Sequence, residues 1–239
     1  MLMKATSCIL LAVALVYSSR AFSDFDCALV FPKGEWVDLL DTDDLGKYFA
    51  EYGENDFPKG GWKFERGELT SDGRGSFAHI LSRCPLFDFE LEFIWVVEKG
   101  ANSGVKYLID PLLGPFGFEY QILDDASHPD ALNGLNRQSA ALYDLYEPSS
   151  SKNLFPPGTE NHGRIVFNGR NGQHWLNGEL VLSYDIESED FKKRLQRSKF
   201  RNVPGIANKK PGHILIQHHG SKVSFRQLRV LPRAAAGQK

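Results

Sequence analysis

The stretch F-D-F-E-L-E-F-I-W-V-V, residues 87–97, decides the fold class. Successive side chains of a strand point to opposite sides, so Phe87, Phe89, Leu91, Phe93, Trp95 and Val97 share one face. Asp88, Glu90 and Glu92 begin the other. A strand with one apolar and one polar face belongs in a half-buried antiparallel sheet. A doubly wound α/β sheet would want strands that are apolar on both sides. Residues 116–125, F-G-F-E-Y-Q-I-L-D-D, alternate in the same way and set Glu119 and Gln121 on one polar face. That face is either open to a polar ligand or a cross-strand polar pair on a solvated surface.

Working outward, residues 36–40 (W-V-D-L-L) and 105–109 read as strands, and Gly60, Gly61 and Gly67 punctuate a hairpin with Trp62, Phe64 and Leu69 as core candidates. Strands at 164–167, 173–176 and 179–184 follow, joined through Asn168-Gly169, Asn171-Gly172 and Asn177-Gly178. Asn-Gly supplies the positive φ angles that tight hairpins need. Ser188 can cap a helix over 189–197 with Phe191 and Leu195 on one face, and strands at 213–218 and 223–231 close the domain. Residues 126–157 lack periodicity and read as a long loop; its interior, Ala140-Ala141-Leu142-Tyr143-Asp144, suits packing over a sheet. Many short strands, Gly-rich turns and one short helix predict an all-β sandwich, a jelly roll.

Lys+Arg 28 against Asp+Glu 30 leaves a formal net charge of −2, which gives no reason to expect nucleic acid or an anionic membrane surface as partner. The basic run Lys192, Lys193, Arg194, Arg197, Lys199 and Arg201 is either the solvated side of the helix or a polyanion site. Residues 41–46 (D-T-D-D-L-G) resemble a calcium loop only in their first positions, since Leu45 stands where an oxygen ligand belongs. Asx-turns and a helix cap account for them better. P-loop, G-x-S-x-G, C-x-x-C and H-E-x-x-H signatures are missing from the sequence.

Residues 1–23 carry Lys4, an apolar run at 8–16 (C-I-L-L-A-V-A-L-V) and then small residues. This predicts a signal peptide and an exported chain, periplasmic or secreted, because the run is too short to span a bilayer. No stable membrane insertion is expected once it is cleaved. One domain is expected over 24–232 and a flexible tail over 233–239. In an oxidising compartment Cys27 and Cys84 are either one bridge or two buried thiols.

Several stretches in order resemble a known family. They are Asp88-Phe89-Glu90-Leu91 with Asn102-Ser103-Gly104-Val105; Gly117-Phe118-Glu119-Tyr120-Gln121-Ile122-Leu123-Asp124; Ala141-Leu142-Tyr143-Asp144; His174-Trp175-Leu176-Asn177-Gly178; and Gly212-His213-Ile214-Leu215-Ile216-Gln217 running to Phe225-Arg226. Their spacing is similar to the 3-keto-disaccharide hydrolase domain over residues 36–232. The resemblance implies a concanavalin A-like jelly roll with a sugar-binding concave face. It also implies action on glycosides oxidised at C3, in some members by elimination and hydration and in certain cases with a divalent metal. Two departures stand out: Gln217-His218-His219-Gly220 lacks a carboxylate that relatives often carry, and Gly158-Thr159-Glu160-Asn161 lacks an aromatic.

For that chemistry a base must remove the C2 hydrogen made acidic by the 3-keto group, and a general acid must assist the group leaving C1. Glu119 and His219 are the candidates. Gln121, Asn102, Tyr143, Asp144, His174 and Gln217 are candidate substrate-binding residues, with His218 expected to pack on the opposite face of its strand. His162, His174 and His219 are the candidate metal ligands. Trp175 is read as a core aromatic or a sugar platform. The other functional class is a lectin-like module that holds sugar on the same face without chemistry.

Overall fold

The computed structural model describes residues 26–74, 77–208 and 210–233. The expected signal peptide lies outside them, as does the tail beyond Arg233. Strands are β1 Val37–Asp38, β2 Phe49–Glu51, β3 Trp62–Glu65, β4 Glu68–Ser71, β5 Ile80–Ser82, β6 Phe89–Val97 and β7 Asn102–Ile109. They continue as β8 Phe118–Leu123, β9 Asn161–Asn168, β10 Asn171–Leu176, β11 Glu179–Asp185, β12 His213–Ile216 and β13 Val223–Pro232. The helices are α1 Cys27–Val30 and α2 Glu189–Arg197. Ser188 caps α2 as its sequence requires, its side chain accepting from the Phe191 N–H.

Two antiparallel sheets face each other. The larger runs β11-β10-β9-β6-β13-β4-β3, with β1 paired to β13, and the smaller runs β2-β5-β12-β7-β8. The expected β-sandwich is therefore the observed fold. Its core sits where the alternation of β6 places it. Phe89, Leu91, Phe93 and Trp95 are buried and meet Tyr107, Phe118, Tyr120 and Ile122 from the smaller sheet. Phe93 meets Tyr120 edge-to-face at 5.1 Å between ring centroids. Each such side chain contributes about 2 kcal/mol or more through the apolar surface it removes from water. The strands β2 and β5 escape sequence reading because three-residue segments are too short to establish a period.

The polar face of β6 is not simply solvated. Glu90 is buried and paired with Arg164 and Arg233. Arg233 also donates its main-chain N–H to Asp88 at 2.8 Å, so the first residue of the expected tail is fastened to the sheet. Cys27 and Cys84 form a disulfide across a separation of 57 residues. Closing a loop of that length removes about 4 kcal/mol of unfolded-chain freedom on the chain-entropy model.

His174 departs from its expected place. The larger sheet's β10 points it into the core, where it is fully buried. Its Nδ1 lies 3.0 Å from the Ala140 carbonyl oxygen and its Nε2 lies 2.8 Å from the Tyr107 hydroxyl. A carbonyl only accepts, so Nδ1 carries the proton, Nε2 accepts from Tyr107, and the Tyr107 oxygen in turn accepts from Tyr184. Burial pushes the His174 imidazole down from 6.5 to about 4, against hydrogen bonds to Ala140 and Ala141 that pull it up. An unfolded chain takes up that proton below its ordinary value while the folded chain refuses it, so folding stability falls with pH across this window. Between pH 6.5 and about 4 the loss attributable to His174 should approach roughly 3 kcal/mol. Urea unfolding at a series of pH values should show it as extra acid sensitivity relative to His174→Gln. Equal pH slopes for the two proteins would refute this account.

Candidate active site

The outer face of the smaller sheet carries a cleft. β7 and β8 pair so that Lys106 lies opposite Glu119 and Gly104 opposite Gln121. Alternation turns Tyr107, Phe118, Tyr120 and Ile122 into the core and leaves Asn102, Lys106, Glu119 and Gln121 on the other side. Beyond the end of β12, Gln217 joins this face, its main-chain N–H donating to Gly104 at 2.9 Å. His219 follows at the rim against the Phe77 ring. Residues 126–157 fold back over the edge of β8. The N–H of Tyr143 donates to the Glu119 carbonyl, that of Ala140 to Gln121, and that of Gln121 to Ala141. This segment acts as a short extra strand that covers an otherwise open sheet edge. Ala140 and Asp144 take positive φ there, at 67° and 60°, a conformation unusual for side-chain-bearing residues and a mark of local strain. The result is a cleft of about 300 Å³ lined by Glu119, Gln121, Asn102, Tyr143, Gln217 and His219, with Lys106, His128, Asp130 and Lys199.

The two carboxylates in the cleft differ. Asp130 accepts from Arg137 at 2.8 Å and from the Tyr143 hydroxyl at 2.8 Å. Burial alone would raise its carboxyl, but these donors outweigh burial and hold it below its ordinary value. Burial raises the Tyr143 phenol, and its bond to Asp130 adds to the effect. Glu119 is buried, and its nearest cationic partner is Lys106 Nζ, 3.9 Å from Oε2. Asn102 Oδ1 is buried without a donor among the described residues. Below the cleft, His79 accepts from the His218 N–H. Its imidazole is pushed down to about 4, first by burial and then by Lys106, His218 and His219.

The family described as the 3-keto-alpha-glucoside-1,2-lyase-like domain matches residues 35–231. A 3-keto-disaccharide hydrolase of Bacteroides thetaiotaomicron is 34% identical over 217 residues, covering 75% of this chain and 72% of that protein. The chain belongs to this family. It is a carbohydrate-active enzyme. Two solved structures of candidate glycosyl hydrolases from Parabacteroides distasonis share the fold, each at 24% identity. Their TM-scores are 0.75 and 0.63, with 84% and 82% of this chain covered and 95% and 98% of theirs.

Asp144, His162, Trp175 and His174 fall outside the cleft. Asp144 does not line the cleft; its carboxylate accepts from Arg137 at 3.0 Å and from the Lys199 N–H at 2.7 Å. It orders its neighbours rather than facing a ligand. His162 is exposed on the larger sheet, where it lines a separate groove with Trp175. Trp175 is thus neither a core aromatic nor part of the cleft, and Arg164 covers it at 5.5 Å. His174 is the core residue already described. Neither departure from the family's usual residues falls in the cleft. His218 is buried against Trp62, and Glu160 pairs with Arg226 at 2.7 Å. Sequence reading missed Lys106, His128, Asp130 and Lys199. For Lys106 a signal existed, since it alternates with Asn102 and Gly104 on one face of β7. The others sit on irregular segments, where no period predicts direction.

A divalent metal does not fit these residues. Among the described residues no three His, Cys, Asp or Glu side chains converge as a cation site requires. His162, His174 and His219 lie on different faces of the sandwich. Asp130 is saturated by Arg137 and Tyr143, and an ion at Glu119 would meet the Lys106 ammonium, at a repulsion of several kcal/mol.

Gly104 leaves the space into which Glu119 leans. A Cβ there would lie 2.6 Å from Glu119 Oε1 and 3.1 Å from its Cγ. The carboxylate can swing away, so Gly104→Ala should fold normally yet misplace the group. Turnover should fall about a hundredfold, as displacements near 1 Å commonly cause, with little change in melting temperature. Full activity in the alanine variant would show that the position of Glu119 is unimportant.

Proposed function

We propose that this enzyme cleaves glycosides whose sugar is oxidised at C3, by elimination across C1 and C2 followed by hydration. The carrying observation is the inequality of the two cleft carboxylates. Direct glycoside hydrolysis wants two working carboxyl groups that flank the bond. Here Asp130 is tied by Arg137 and Tyr143, which leaves Glu119 as the one available carboxylate of the cleft. Elimination needs just one. Glu119 takes the C2 proton, and the electron pair passes into the keto group. As the carbonyl re-forms the C1–O bond breaks, and His219 at the rim protonates the departing oxygen. Water then adds to the resulting enone.

Binding follows from the same face. Asn102 Oδ1 needs a donor, which a sugar hydroxyl supplies. Gln121 and Gln217 offer both donors and acceptors beside it, and Tyr143 closes the side. The names carried by the family and by the Bacteroides relative support the 3-keto substrate. Glu119→Gln keeps the shape and removes the base. Free sugar released from a 3-keto-disaccharide should fall at least about a hundredfold, while calorimetric binding of the same sugar persists. Binding of 3-keto sugars with no release by the unaltered protein would instead support the lectin-like reading.

Export is part of the proposal. The Cys27–Cys84 disulfide supports an oxidising compartment. The mature protein, recovered outside the cytoplasm, should begin near residue 24 by mass spectrometry. An intact N terminus on the cell-associated protein would overturn this.

A further inference from the structure

Elimination from a 3-keto sugar places negative charge on O3, and that charge needs a preorganised partner. A divalent metal, implied by the resemblance for certain members, does not fit the described residues of this chain, so the partner is sought among the side chains already in the cleft. Two ammonium groups line it. Lys106 stands opposite Glu119 in the ladder, with Nζ 3.9 Å from Oε2 and donating to the Pro115 carbonyl at 3.3 Å. Lys199 is anchored through its main chain, whose N–H donates to Asp144 at 2.7 Å. Its Nζ is held 3.9 Å from the Tyr143 ring centroid, a favourable cation–π distance. Among the described residues no carboxylate lies within ion-pair distance of this ammonium, and no protein group accepts its hydrogens. A charged group fixed by its backbone and by an aromatic face, with its donors uncommitted, is arranged for a ligand.

We propose that Lys199, seconded by Lys106, binds the enolate oxygen formed when Glu119 takes the C2 proton, doing here what a metal ion would otherwise do. This rests on the function proposed above. The C2–H electron pair becomes the C2=C3 bond and the carbonyl π pair moves to O3 beneath the ammonium groups. Then the O3 pair re-forms the carbonyl, the C2=C3 pair becomes the C1=C2 bond, and the C1–O pair leaves with the departing oxygen, which His219 protonates. No oxidant or metal enters the balance. Lys106 already stands beside Glu119 before the reaction, so the division of labour is unequal: Lys106 attends the base and Lys199 the oxyanion. Arg137 and Asp144 act through others. Arg137 holds Asp130, Tyr143 and Asp144, and Asp144 holds the backbone of Lys199. Both are positioning residues.

Two readouts test the proposal, with the unaltered enzyme and its Lys199→Met, Lys199→Arg and Lys106→Met variants in EDTA. One is release of free sugar from a 3-keto-disaccharide. The other is exchange of the C2 hydrogen of 3-keto-glucose in D2O, followed by NMR, which reports enolate formation without bond cleavage. The unaltered enzyme should be active in EDTA. Lys199→Met should slow both cleavage and exchange about a hundredfold, as loss of one oxyanion donor does, with KM and melting temperature little changed. Lys199→Arg should recover part of the loss. Exchange within twofold of the unaltered enzyme in Lys199→Met would overturn the assignment, as would activity that EDTA abolishes and Mn2+ or Mg2+ restores. If the unaltered, folded protein neither cleaves nor exchanges any 3-keto sugar, with or without metal, the function itself fails. Failure of the lysine assignment alone would leave the unaltered enzyme active.

Discussion

Tyr184 gives its hydroxyl hydrogen to Tyr107, Tyr107 gives its own to His174, and His174 gives its Nδ1 proton to the carbonyl of Ala140. This buried relay crosses the sandwich from the larger sheet to the smaller and back, then passes into the segment that covers β8. Every member is satisfied, which makes the relay rigid instead of costly. Ala140 is where the covering segment turns with a positive φ angle, three residues before Tyr143. The register of Tyr143 against Glu119, and through Tyr143 the placing of Asp130 and Lys199, depends on that anchor. A polar core residue thus sets the geometry of a cleft that it never touches.

The alternation of residues 87–97 and 116–125 was sufficient to read the sandwich and to place Glu119 and Gln121 on an outward face. Regular strands carry that information because side-chain direction has a period of two. Asn102 and Gln217 belong to the same regular faces, and the structure brings both to the cleft. Reading failed where direction is set by tertiary contact. His174 alternates with Trp175 on β10, and nothing local tells which of the two turns inward. The bulge between them, recorded in the pairing with β11, blurs the period further. Lys199 looked like one more cation in a basic run, and only the contact between α2, the turn after it and the covering segment separates it from Lys192 and Lys193.

The cleft is electrostatically mixed. Asp130 and Asp144 are spent on Arg137, so they organise the wall without offering charge to a ligand. Glu119, Lys106 and Lys199 remain, one base among two cations. A site so composed favours a substrate that is neutral when it binds and becomes anionic as it reacts, which is the behaviour of a ketone being enolised. Lys106 and Lys199 would be poor company for a resident divalent cation and good company for a transient oxyanion.

Strand order carries a consequence for how the chain comes together. The last strand, β13, lies in the interior of the larger sheet between β6 and β4, and β12 lies in the interior of the smaller one between β5 and β7. Neither sheet can close until its C-terminal strand has arrived. During synthesis, then, the first two hundred residues form a set of partial sheets with unpaired edges, and the central gap is filled only at the end. Long-range pairings of this kind make folding slow and leave intermediates exposed to association. A ribosome-bound fragment ending before β12 should remain open, and the cleft, whose floor includes Gln217, comes into being only after β12 and the residues that follow it have been made.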